Sequence, residues 1–370
     1  MSSSLTETIL EQRRRYWVDG FREVVSSMGV PDGTPLFLAE IHSSESVSGL
    51  KPASELRMQP VKPTALKPGD RIGLVCPASA PIDLARIESA ARALEGRGYE
   101  VCLGRHVRAR HGAFAGTDSQ RAEDLNGFIR DPGVRMIMAV RGGYGCARLL
   151  RDIDYDAISR DPKWLVGYSD LTALQMALLA RVGLVTVSGP MAGVEFSQGM
   201  DAFTDQHFWS LVSGEAGGMD LGNPAEQPWT PIRGGTAEGR LVGGCFSLVM
   251  SLFGTPFLPS LDGAILVLED VHEHLHRVDR MMVQLKLAGV LDRISGLVLG
   301  YFTDCHPSDP KRPALGLEEI MDEVLGGVRV PCIRGYAYGH EAPKRSLPWG
   351  IRARLEVEAG RFTLLELPSA

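Results

Sequence analysis

From Leu66 onward, apolar runs of strand length alternate with stretches of helical period, and that alternation leaves few folds open. In DRIGLVCPASAP, residues 72–75 read as a strand that ends in a Pro/Ser turn. DLARIESAARALEGRGY follows as a helix closed by Gly96 and Gly98. YEVCLG is a second strand, SQRAEDLNGFIRD a helix, VRMIMAV a buried strand and CARLLRDI a helix. WLVGYS is another strand that leads into a helix. Such a pattern predicts right-handed βαβ units and a mainly parallel sheet, because parallel neighbours need a crossover. Sites in these sheets form at the carboxyl ends of strands, so the loops after Val75, Val140 and Ser169 are the places to look.

The alternation breaks at 214–235 (GEAGGMDLGNPAEQPWTPIRGG), which is dense in Gly and Pro and reads as an inter-domain connection. Beyond it come a helix at 246–253, the strand AILVLED, a helix around RMMVQLKLAGVL, the strand GLVLGYF, the helix GLEEIMDEVL and the strand VPCIRGYAYG. A hairpin-like pair, IRARLEVEAGRFTLLEL, turns at Glu358-Ala359-Gly360. The expected fold is α/β in two domains. A larger, mainly parallel α/β domain spans 67–213, and a smaller α+β domain spans 236–370. Residues 1–66 stand apart as an N-terminal extension. Ile9, Leu10, Trp17, Phe21, Val24, Val25 and Met28 give a helical spacing, and a Ser-, Pro- and Lys-rich linker starts at His42.

The 370 residues are 44% hydrophobic and 23% charged, enough apolar surface for a full core. A formal net charge of −6 argues against nucleic acid as a partner. No apolar run approaches the roughly 18 residues that span a bilayer. No apolar stretch follows Arg13-Arg14-Arg15, so a secretory signal is not expected. The six cysteines form no CxxC pair and read as reduced, mostly structural thiols of a cytoplasmic protein.

WLVGYSDLTAL, at 164–174, places Ser169 on a strand-to-helix hinge. That serine either caps the helix or is a nucleophile, with the Asp170 N–H aimed at whatever it attacks. RGGYG, at 141–145, is either a tight turn or a set of N–H groups for phosphate or an oxyanion. Glu269 and Asp270 close a strand, where a Glu can orient a histidine. His340 and His306 lie in loops after strands, and either could act as a general base. His272, His274 and His276 would share one face if VHEHLHRVDR were extended, but no HExxH is present, and a polar surface loop is the plainer reading.

Together these motifs resemble the LD-carboxypeptidase family, which includes murein tetrapeptide carboxypeptidases and microcin C self-immunity hydrolases. The likeness rests on GDRIGLVCPASAP, RGGYG with RLL, GYSDLTAL, SGPM, LVGGCFSLVMSLFGTP, LEDV with VDRM, and GH before LPWG, in order over about residues 67–370. It implies a serine peptidase without cofactor or metal, with Ser169 as nucleophile, His340 as base and Glu269 orienting it. It further implies an oxyanion hole from the N–H groups of Gly143 and Asp170, and a site in the cleft between the domains. The implied reaction removes the terminal D-alanine of a murein tetrapeptide in peptidoglycan recycling; the alternative is cleavage of a microcin-type peptidyl nucleotide, whose hydrolases carry an aromatic for stacking the base. Trp209 and Trp229 are the available tryptophans in 192–229. A terminal carboxylate needs a cationic partner, and Arg141, Arg277 and Lys344 are candidates by position. A homodimer follows by analogy only. Two features depart from the family pattern: Cys245 stands where Asn is expected, and HEHLH is unusually His-rich.

Overall fold

The computed structural model describes residues 59–215, 219–309, 311 and 313–370. The expected helix at 6–28 and most of the linker lie outside these residues. Within them, Val61 pairs with Leu184 and Leu66 is buried, so the last residues before the first strand pack on the body.

The chain first builds β1 (Arg71–Val75), α1 (Ala85–Glu95), β2 (Glu100–Leu103), α2 (Asp118–Arg130) and β3 (Val134–Ala139). It continues through α3 (Tyr155–Arg160), β4 (Trp164–Val166), α4 (Thr172–Val182), β5 (Thr186–Ser188) and α5 (Ala202–Val212). The five strands pair in parallel in the order 5-4-3-1-2. β1, β3 and β4 are buried almost throughout, as strands of a parallel sheet covered on both faces are. In this order the connections leave β1 and β3 in opposite directions, and a crevice opens between the loops that follow them.

The rest of the chain supplies β6 (Thr230–Arg233), β7 (Thr236–Cys245), α6 (Phe246–Ser251), β8 (Ile265–Val271), α7 (Leu275–Leu287), β9 (Gly296–Thr303) and α8 (Leu317–Leu325). It ends with β10 (Cys332–Arg334), β11 (Leu347–Trp349), β12 (Arg352–Glu356) and β13 (Arg361–Leu364). Seven of these strands form a second sheet, 13-12-7-8-9-10-6, parallel from β7 to β10 and antiparallel at its edges. β11 instead pairs antiparallel with β5 in the first sheet. There Trp349 is fully buried, and its indole N–H donates to Gln175 of α4 at 3.2 Å. The last third of the chain is thereby stitched to the first sheet.

Several local expectations change. CARLLRDI makes only a 3₁₀ turn, Cys146–Leu149, and the helix starts later, behind Asp154, whose carboxylate accepts from the Ala157 N–H. The stretch 214–235 is more than a connection, because Leu221 is fully buried and β6 is an edge strand of the second sheet. β7 escaped the sequence reading because Gly239, Gly243 and Gly244 dilute its strand pattern. No described helix is long and apolar enough to cross a membrane.

Those glycines are required by close approach. At Gly243, where φ is 150°, a methyl group would collide with the Val267 carbonyl oxygen of β8. Gly243→Ala is therefore expected to destabilise the fold by about 3 kcal/mol, through strain and overpacking together. Urea denaturation should show a lower midpoint with an unchanged m-value.

Candidate active site

β4 ends at Val166, and the chain bends through Gly167 and Tyr168 into Ser169. Ser169 has φ 63°, a left-handed conformation that costs a non-glycine residue free energy and so must be held by its surroundings. It caps neither element beyond it: Tyr168 precedes the 3₁₀ turn Ser169–Leu171, and Leu171 is the N-cap of α4. The serine is thus presented at the sheet's carboxyl end without a capping task.

The loop after β3 is tied to this turn. Asp170 is buried, and its carboxylate accepts from the Cys146 N–H at 2.8 Å. Burial pushes the Asp170 carboxyl above its usual range, while the bonds from Cys146 pull it back. The fully buried Arg121 donates to the Gly145 carbonyl at 3.0 Å and also to the Pro77 carbonyl, joining the loops after β1 and β3. Ser79 Oγ accepts from the Tyr144 N–H at 3.1 Å. Gly143 has φ 117°, and a Cβ there would strike the Ser79 side chain. A Cβ on Gly142 would lie 2.9 Å from that of Ser169. The backbone at 142–143 therefore runs against the serine, with no room for side chains.

The second half of the fold contributes a carboxylate and an imidazole. Glu269, at the end of β8, is fully buried, and its Oε2 accepts from His340 Nδ1 at 2.8 Å. With the Nδ1 proton held by a carboxylate, the neutral imidazole offers the lone pair of Nε2. Glu269 Oε1 has no hydrogen-bond partner among the described residues. The Tyr168 ring meets the His340 ring edge-on, with centroids 5.1 Å apart. A cavity of about 310 Å³ is bordered by Ser169 and His340 together with Gly143, Tyr168, Arg86 and Arg141. A groove of about 910 Å³ lies elsewhere, along Arg240 and Asp262, but its lining residues include neither Ser169 nor His340. Several of its charges are also paired, Arg352 with Glu238 and Asp262 with Arg293.

The remaining candidates separate clearly. Arg141 borders the cavity. Arg277 does not; it sits on α7 and pairs with Glu273 at 2.7 Å. Lys344 is buried, with its ammonium 2.7 Å from Glu195, and does not border the cavity either. Arg86, on α1, was missed by the sequence reading, because nothing in DLARIE marks which helical face meets the crevice. His272, His274 and His276 share no strand face: His272 is left-handed at φ 58°, His274 precedes α7 and His276 lies in its first turn. Among the described residues, no three His, Cys, Asp or Glu side chains gather as a metal site. His306 is exposed, 3.8 Å from Asp304. Trp209 stacks on Tyr99, and Trp229 packs against Tyr336; neither borders the cavity. Cys245 donates its thiol proton to Asp270 at 3.3 Å.

Comparison with known proteins agrees with the two-sheet division. Residues 72–189 match the LD-carboxypeptidase N-terminal domain and residues 238–355 the C-terminal domain. The chain is 35% identical to the probable murein peptide carboxypeptidase of Bacillus subtilis, over 80% of this chain and 91% of that one. It is 34% identical to the murein tetrapeptide carboxypeptidase of Pseudomonas aeruginosa, over 83% and 97%. A solved structure of MccF in complex with glutamyl sulfamoyl guanosine superposes with a TM-score of 0.75, at 25% identity, over 84% of this chain and all of that one.

The bond from Cys146 to Asp170 yields a direct test. Asp170→Ala leaves a buried N–H without an acceptor, and a loss of about 1–3 kcal/mol is expected in chemical denaturation. Asp170→Asn keeps an acceptor oxygen and should lose clearly less.

Proposed function

The chain belongs to the LD-carboxypeptidase family of serine-type peptidases, and on that premise we propose that it releases the terminal D-alanine of murein tetrapeptides. In this reading Ser169 is the nucleophile, His340 the general base and Glu269 the group that orients it. One observation carries it: a strained serine from the first sheet and a carboxylate-bound histidine from the second border the same cavity.

The chemistry follows from the geometry. Glu269 holds the Nδ1 proton, so Nε2 is the atom that takes the proton from Ser169 as its Oγ attacks the scissile carbonyl. The charge that develops on the carbonyl oxygen meets the N–H groups of Asp170 and Gly143, and one such donor is worth roughly 10²–10³ in rate. His340 then protonates the departing D-alanine nitrogen as the C–N bond breaks, leaving an acyl-serine. Water attacks that ester with His340 again as base, and the tripeptide carboxylate leaves. Arg141 and Arg86 offer guanidinium groups for the terminal carboxylate, a role that neither Arg277 nor Lys344 is placed to fill. Cleavage of a peptidyl nucleotide is the less favoured reading. Both tryptophans that might stack a base are engaged elsewhere, and identity to the murein carboxypeptidases, 34–35%, exceeds the 25% shared with the MccF structure.

The test compares wild type with Ser169→Ala on a muropeptide tetrapeptide, with and without a chelator, reading free D-alanine by mass spectrometry. Release that survives chelation and falls by about 10⁴-fold or more in the variant is expected. A wild type that releases no D-alanine would defeat the murein reading. Full activity in Ser169→Ala would remove the serine from the mechanism.

A further inference from the structure

Lys344 and Glu195 form an ion pair whose side chains are only 6% and 11% exposed. Exposed pairs contribute little, and buried ones repay their desolvation only when the geometry is good and further hydrogen bonds complete it. Here the further bonds are present, and they lead to the candidate site. Glu195 Oε1, 2.7 Å from the ammonium, also accepts from the Tyr168 hydroxyl at 2.9 Å. Oε2 accepts from the Met191 N–H at 2.8 Å. The ammonium lies 4.0 Å from the centroid of the Tyr168 ring, a cation–π contact. Burial holds the Tyr168 hydroxyl well above the usual phenol range, so it remains a donor.

Tyr168 immediately precedes Ser169, and its ring meets that of His340. Lys344, in turn, lies in the loop that carries His340. That loop is closed by the Arg345 N–H donating to the Ala337 carbonyl at 2.7 Å. It is fastened to α5 by the Lys344 N–H donating to Thr204 Oγ1 at 3.0 Å. Glu195 belongs to the helical turn Ala192–Phe196, whose Gly193 and Val194 border the cavity. One ion pair therefore joins the histidine loop, the serine turn and a wall of the cavity.

We propose that Lys344 is a positioning residue. Its pair with Glu195 clamps the His340 loop against Tyr168 and so fixes the gap between His340 and Ser169. The proposal rests on the Ser169–His340 reading above and assigns the lysine a part distinct from substrate binding. A displacement of about 1 Å between reacting groups can cost roughly 100-fold in rate, so a clamp at this point acts on turnover.

The experiment uses wild type, Lys344→Met and Lys344→Met/Glu195→Gln. The single variant strands a buried carboxylate and should melt at a lower temperature. The double variant removes that charge and keeps an acceptor for Tyr168, so its Tm should return towards wild type. Two rates are read: D-alanine release from the tetrapeptide, and acylation of Ser169 by a small fluorophosphonate, followed by intact mass. The clamp predicts that both variants fall about 10- to 100-fold in kcat and in labelling, with KM changed by less than about threefold. A double variant that regains both Tm and rate would make the lysine merely structural and overturn the proposal, as would a tenfold rise in KM at unchanged kcat. Failure of the fluorophosphonate to label wild type at Ser169 would instead overturn the nucleophile reading on which the clamp rests.

Discussion

The reversal of direction between β1 and β3 is the constraint on which the rest of the structure depends. The chain leaves β1 towards β2 on one side and returns to build β3, β4 and β5 on the other. A crevice opens between loops that part in this way, and here the two loops are held together by close contacts, with Ser79 Oγ accepting from the Tyr144 N–H. Close approach explains why Gly142 and Gly143 follow β3, since side chains there would strike Ser169 and Ser79, and the buried Arg121 holds the carbonyl groups of Pro77 and Gly145. The strained Ser169 borders the same opening, one strand further along. Its φ of 63° is tolerated because Asp170 beside it is bonded into the neighbouring loop.

The second sheet brings charge into this opening at a cost that shapes what it can do. Glu269 is fully buried, and one of its two oxygens has no partner among the described residues. The other oxygen is bonded to His340 Nδ1, so an imidazolium formed in the proposed reaction would face a buried carboxylate. Lys344 and Glu195 follow the opposite logic. Their charges are satisfied by each other, by Tyr168 and by a backbone N–H, which suits a clamp better than a reagent.

The order of strands and helices up to β4, and the hinge at Ser169, were legible because they are local. Apolar period, terminating glycines and the change of texture at 164–170 all lie within a few residues of what they specify. What was not legible depends on partners distant in sequence. Arg141, Arg277 and Lys344 look equivalent as cations in loops. One borders the cavity, one pairs with Glu273 four positions away, and one is bound to Glu195, 149 positions earlier in the chain. Arg86 was hidden because helical period shows which face is apolar, not what the other face meets. β7 was hidden because its glycines answer to neighbours distant in sequence, Gly243 to the backbone of β8 and Gly244 to Thr172 of α4. The three histidines of HEHLH share a face only if the segment is extended; α7 begins inside it, and the histidines are exposed, in line with the plainer reading of a polar surface segment.

Glu269 and Asp270 show how far local physics reaches. Two adjacent carboxylates look alike as sequence, yet they take different partners, at a point where the register between β8 and β9 shifts. Glu269 is turned towards His340. Asp270 is turned towards the start of α6, where it accepts from the Ser247 N–H at 2.8 Å and from the Cys245 thiol. Burial pushes Asp270 up, and the N–H groups of Ser247 and Val271 pull it back. Burial also drives the Cys245 thiol well above its usual range, so beside two acids it is a small neutral donor. A third charge at that place would compete for His340 or for Asp270. The thiol brings no charge: it donates to Asp270, and a cysteine stands opposite Glu269 at the end of β7 while that carboxylate keeps its bond with the histidine.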